Sequence, residues 1–231
     1  MENSMSRFIT GSVVKRTLKD IKDNPERSIR NLVDMALQFS GGRFQQDFFT
    51  TAQTMLQNEN SAYYRLVRDI VSHADTDRLY TFGMNLGYNG CTAGAQRIRE
   101  NEKKLECNIP WTVAIQMDSE HFEEKEKQYQ ITIQAGEKLG IYVWMLFCMK
   151  QPQKSLLLAK NHPDSAFFLF CEPEDLTSDF LDDAADLFNL MLVVRYDEST
   201  SGMCDNLREL GVLYSVWYQY GQKDTESIIN G

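Results

Sequence analysis

The chain has 231 residues, 24 of them basic and 33 acidic, for a net charge of −9, with 42% hydrophobic and 25% charged residues. Such a composition fits one packed globular domain, or one with a small addition, and the acidic balance argues against nucleic-acid binding, which calls for a basic face. No apolar run reaches about 18 residues, so no membrane span is expected.

Residues 1–76 read as helical throughout, forming an N-terminal segment distinct from residues 77–231. Val13, Val14, Leu18 and Ile21 recur at helical spacing. Ile29, Leu32, Val33, Met35, Ala36 and Phe39 form a wider stripe, stopped by Gly41-Gly42. Phe44, Phe48, Phe49, Ala52 and Met55 mark a third helix, and Tyr64, Leu66, Val67, Ile70 and Val71 a fourth. Pro25 suits a first helical turn.

From about residue 78 the period changes. Leu79–Leu86, Trp111–Met117, Ile141–Phe147, Ala166–Phe170, Leu190–Val194 and Val212–Trp217 are short apolar runs, most of them continuously apolar, the pattern of strands covered on both faces in a parallel sheet. Amphipathic stretches between them read as helices: one starting near Ala93, Phe122–Leu139 ended by Gly140, one after Pro152, one capped by Thr177 or Ser178, and one ended by Gly211. The polar tail Gln222–Gly231 reads as frayed. The expected fold is α/β: helical segment, then six βα units. These form either an incomplete TIM-like (β/α)6 barrel or a doubly wound open parallel sheet.

Ligands of parallel βα folds collect at the carboxyl ends of strands. After the first run comes Asn85-Leu86-Gly87-Tyr88-Asn89-Gly90-Cys91-Thr92-Ala93-Gly94, whose glycines would either aim backbone N–H groups at an anion or make a tight turn. Cys91 would sit at a helix N-terminus, where the dipole favours thiolate. Cys148 and Cys171 would join it on one rim, although no C-x-x-C pair supports a metal site. Asp118, Arg195 and Asp197 (with Glu172 nearby) would add a guanidinium fork and carboxylates, unless the two aspartates merely cap helices. The expected ligand site therefore contains Asn85, Gly87, Asn89, Gly90, Cys91, Asp118, Arg195 and Asp197, and its expected ligand is a small anion.

A helical lead-in, six βα units and a distinctive loop, Tyr88–Gly94, directly after the first strand resemble the radical-SAM barrel. In that family the loop holds an iron–sulfur cluster through three cysteines spaced C-x-x-x-C-x-x-C. Here the loop contains Cys91 alone. The resemblance therefore implies a relative without cluster or radical chemistry, and neither an iron–sulfur cluster nor any other cofactor is expected. Two functions compete: a non-catalytic protein binding a ligand or protein partner, and an enzyme acting on a small anionic substrate at the carboxyl ends of the strands. Five cysteines at irregular spacing, and a start Met1-Glu2-Asn3-Ser4 without the pattern of a secretion signal, suggest reduced thiols and a cytoplasmic protein.

Overall fold

The computed structural model describes residues 2–40, 42–197 and 200–230. Its first half is helical: α1 (Glu2–Ile21), α2 (Pro25–Phe39), α3 (Arg43–Gln57), α4 (Ala62–His73), α5 (Thr76–Gly83), a π-helical segment (Met84–Gly94) and α6 (Ala95–Leu105). Local chemistry sets these bounds. Asn24 accepts a hydrogen bond from the Arg27 amide ahead of Pro25. Gly41, one of the two glycines expected to end α2, lies outside the described residues.

Five strands follow, each but the last leading into a helix: β1 (Thr112–Gln116), α7 (Phe122–Leu139), β2 (Val143–Phe147), α8 (Leu156–Asn161), β3 (Ala166–Cys171), α9 (Ser178–Ala185), β4 (Leu190–Arg195), α10 (Thr200–Glu209) and β5 (Tyr214–Trp217). Thr177 caps α9 by accepting from the Phe180 amide, and Gly140 ends α7 at φ +109°. The tail expected to fray instead forms a 3-10 turn, Gln222–Asp224, and a short helix α11 (Thr225–Asn230).

All neighbouring strands pair in parallel, in the order β1-β2-β3-β4-β5. The sheet is open, with β1 and β5 at its edges, as in the open-sheet alternative. The order contains no reversal, which is the feature of the curled alternative. Six strands closing towards a barrel must be corrected to five in an open sheet. The missing one is Leu79–Leu86, which forms α5 and the start of the π segment. Its apolar residues also fit helical spacing: Leu79, Phe82 and Leu86 join one cluster with Ala166, Phe168, Met191 and Leu213 of the sheet side. Asp75 starts this helix by accepting from the Asp77 and Arg78 amides.

Sequential order with right-handed crossovers puts successive helices on one face. The main core agrees. Trp144, Leu146, Phe167, Leu169, Leu192 and Val194, each at most 1% exposed, pack with Ile133 of α7, Leu158 of α8, Phe180 of α9 and Leu207 of α10. Each such side chain contributes about 1.5–3 kcal/mol through burial. The opposite face meets the N-terminal helices, where Ala74 and Phe82 contact Ala166 and Leu213. That helical layer is also tied by polar bonds. Arg208 makes a double contact to Asp69, and Arg78 donates to the carbonyls of Ala185, the last residue of α9, and Leu187 just past it.

Candidate functional site

The residues expected to form one site lie at two ends of the sheet. The π segment runs along the end where strands begin. Asn85 donates to the Pro163 carbonyl at 2.8 Å and to Ser165 at 3.1 Å, while Asn89 donates to Asp164 at 2.7 Å. These carbonyls belong to the turn that leads into β3. A Cβ on Gly90 would lie 3.0 Å from Val143, the first residue of β2. A Cβ on Gly94 would lie 2.3 Å from the Asn89 carbonyl oxygen and 2.4 Å from that of Gly140, so its glycine permits contact between the helix and the end of α7. Gly87 has no such neighbour within 4 Å.

Cys91 thus sits inside a continuous helical stretch, not at a helix N-terminus, and no dipole end acts on it. Burial pushes its thiol up to about 11, opposite to the thiolate expectation. Cys148 and Cys171 are buried on the other side of the sheet's length, at the ends of β2 and β3, and burial raises both thiols. Among the described residues no group of three His, Cys, Asp or Glu side chains is placed to hold a metal ion.

Asp118, Arg195 and Asp197 do stand at the carboxyl ends. Asp118 bonds Lys125 at 2.5 Å and both the ring nitrogen and the amide of His121 at 3.2 Å, and these bonds, Lys125 first and the His121 side chain next, hold its carboxyl down at about 2. It organises the turn ahead of α7, whose first amides receive no side-chain cap. Ahead of α10, the Asp197 amide donates to the Thr200 hydroxyl at 2.8 Å, and that hydroxyl donates to the Asp197 carboxylate at 3.1 Å. Glu198, the next residue, lies outside the described residues. The Arg195 guanidinium donates through Nε to Glu172 and lies 3.7 Å from Asp197. The guanidinium thus finds carboxylates inside the chain, as the structure brings together Arg195 and Asp197 but leaves the π segment at the far end.

The sequence reading missed the surface beside Arg195. Alternation along each strand puts Met145, Phe147, Phe168, Phe170, Arg195 and Trp217 on the face opposite α7–α10. The N-terminal helices cover that face where the strands begin, through Phe168 and Met191. Towards the carboxyl ends it is left half-covered. Phe147 and Phe170 stack at 4.2 Å between ring centres, Trp217 meets Phe170 edge-on at 6.4 Å, and all three are partly exposed. Ala114, Gln116 and Ser215 beside them are exposed. The Trp217 indole nitrogen is shielded from solvent without a hydrogen-bond partner. Tyr196 and Tyr218 extend the aromatic edge, 52% and 49% exposed.

This end of the sheet is negative. Asp118, Glu172, Glu174, Asp175 and Asp197 all follow strands here. Burial, then repulsion from Glu174 and Glu172, holds the Asp175 carboxyl above its ordinary range. Of the cations here, Lys125 and Arg195 are each bonded to a carboxylate, and Lys150 after β2 adds one further positive charge. The signal for this surface lay in the strands themselves, where aromatic residues alternate with the core positions. Which helices covered which face could not be read without the strand order. No helix among the described residues is long and apolar enough to cross a membrane. No family model, curated protein or solved structure matches this chain, so the resemblance to the radical-SAM barrel has no support beyond the features quoted for it.

Proposed function

We propose that this chain is a non-catalytic binding protein, and that its partner is a protein element seated on the half-covered aromatic face at the carboxyl ends of the strands. One observation carries this reading. Parallel sheets are covered on both faces, yet here Phe147, Phe170 and Trp217 stand partly exposed where the helical layer stops. The surface is an open shelf. Small molecules favour enclosed clefts, whereas shelves rich in Phe, Trp, Tyr, Met and Arg are the composition of protein interfaces. The surrounding carboxylates favour a partner with basic residues flanking an apolar element. A small anionic substrate would have to take Arg195 from Glu172 against that field, so the enzyme reading gains no support from the geometry.

The test is capture from an extract of the cells of origin, followed by hydrogen exchange on the isolated complex. The wild-type chain should retain its partner. Protection should fall on residues 143–147, 168–171 and 193–196. The double variant Phe147→Ser, Phe170→Ser, with helical content unchanged by circular dichroism, should lose the partner at least tenfold. Equal capture by the variant, or protection confined to α1–α3, would overturn the reading.

A further inference from the structure

A second site lies in the helical layer, away from the aromatic shelf and independent of it. Helices α1, α2, α3 and α5 and the π segment border a half-open cavity of about 760 Å³. That volume falls within the range of small-molecule sites, roughly 300–1,000 Å³. Its wall is mainly aliphatic and aromatic, with Leu18, Leu32, Val33, Phe49 and Leu79 among its residues. No Asp, Glu, Lys, Arg or His lines it; the polar groups are hydroxyls and the Gln45 amide. A charged ligand entering here would lose its hydration and gain no counter-ion, a prohibitive cost. Two wall hydroxyls already use their protons, Ser40 donating to the Leu37 carbonyl at 2.7 Å and Thr92 to that of Gly87 at 3.3 Å. Their free lone pairs suit a ligand that donates, such as an alcohol.

Two glycines point to an occupant. Gly83 and Gly87 both line the cavity, in helical backbone, and beyond its own helical turn a Cβ added to either would meet no atom within 4 Å. Glycine is the poorest helix former after proline, and neither position needs it for a turn or a close approach within this chain. The contrast with Gly94 is direct, since there a Cβ would strike two carbonyls. What the two glycines provide is room. At the mouth, Met5 and Ile9 of α1 are 68% and 53% exposed, apolar surface that an occupant would cover.

We infer that the cavity bounded by α1, α2, α3, α5 and the π segment binds an uncharged, largely apolar small molecule carrying a hydroxyl, with Gly83 and Gly87 forming the floor that its chain lies against. The probe is N-phenyl-1-naphthylamine, a neutral dye that fluoresces on entering an apolar site. The wild-type protein should bind it saturably. 1-Dodecanol should displace it, and dodecanoate should do so at least tenfold less well. Gly83→Leu and Gly87→Leu fill the floor and should each weaken dye binding at least tenfold. Gly83→Ala and Gly87→Ala, which cannot disrupt the fold sterically, should weaken it by a smaller graded factor with melting temperature held or raised. Hydrogen exchange with 1-dodecanol should show protection in α2 and residues 84–94. Undiminished dye binding in the leucine variants, equal displacement by dodecanoate, or protection in strands β2–β5 instead of the helices would each overturn the inference. None of these outcomes touches the aromatic shelf, whose own test is separate.

Discussion

Asp118 shows how a residue at the expected place can serve a local role. It follows β1, where ligands of parallel folds collect, yet its lone pairs go to Lys125 and to the turn at His121. Its carboxyl titrates at about 2, below its ordinary value of 3.8. A depressed folded-state value adds stability that is complete above pH 3.8 and is lost as pH falls through about 2. Carbon-detected NMR should place the Asp118 midpoint near 2, and Asp118→Asn should flatten the acid limb of the stability curve in that window. The pair is exposed, so added salt should move the midpoint back upward. A midpoint near 4 at low salt would mean that the Lys125 bond does not persist in solution. Arg195 tells a similar story. Its type and position were legible in the sequence, but its partner was not, because Glu172 comes from the preceding strand's end 23 residues earlier. Only the register of β3 against β4 brings the two together.

At the scale of elements, five of the six apolar runs are strands and Phe122–Leu139 is a helix as read, because their periodicity is strong and their glycine and threonine stops carry a mechanism. Leu79–Leu86 failed because in so short a segment the apolar positions fit a strand and a helix alike. The deciding signal was Asp75, a helix cap placed just ahead of it. Losing that strand moved the candidate site. The glycines expected in a loop at the carboxyl ends became a π segment at the opposite end, where Asn85 and Asn89 bind the turn before β3. Glycines in this region therefore do different work, and substitution separates them by sign. Gly94→Ala forces a Cβ against two carbonyl oxygens and should destabilise by about 1–3 kcal/mol, as overpacking does. Gly83→Ala meets open space and should stabilise by about 0.5–1 kcal/mol through helix propensity. Urea titrations of the two variants check this; effects of the same sign would show that the close approach of residues 94 and 140 is not maintained.

At the scale of the molecule, the question is whether the helical layer and the sheet unfold as one. All four βα crossovers leave one sheet face bare, so the helical layer is the cover for half of the other face, and the sheet depends on it. Two arginines hold the cover. Arg208 pairs with Asp69, and Arg78, 3% exposed, donates to the carbonyls of Ala185 and Leu187 while lying 4.7 Å from the Phe188 ring centre. The tryptophans make this testable. Trp111, Trp144 and Trp217 all lie in the sheet half, so their fluorescence reports on the sheet, whereas far-ultraviolet circular dichroism reports mainly on helices from both halves. Coupled layers should give superimposable urea transitions by the two probes. Arg78→Ala removes the donor from two carbonyls beneath the layer and should cost about 1.5–3 kcal/mol, the worth of hydrogen bonds to a charged group. Both transitions should shift together if the layer is integral to the fold. If fluorescence keeps its midpoint while dichroism moves to lower urea, the helical layer melts off a self-sufficient sheet. In that case the full length of its second face, not only the carboxyl-terminal shelf, would be open to a partner.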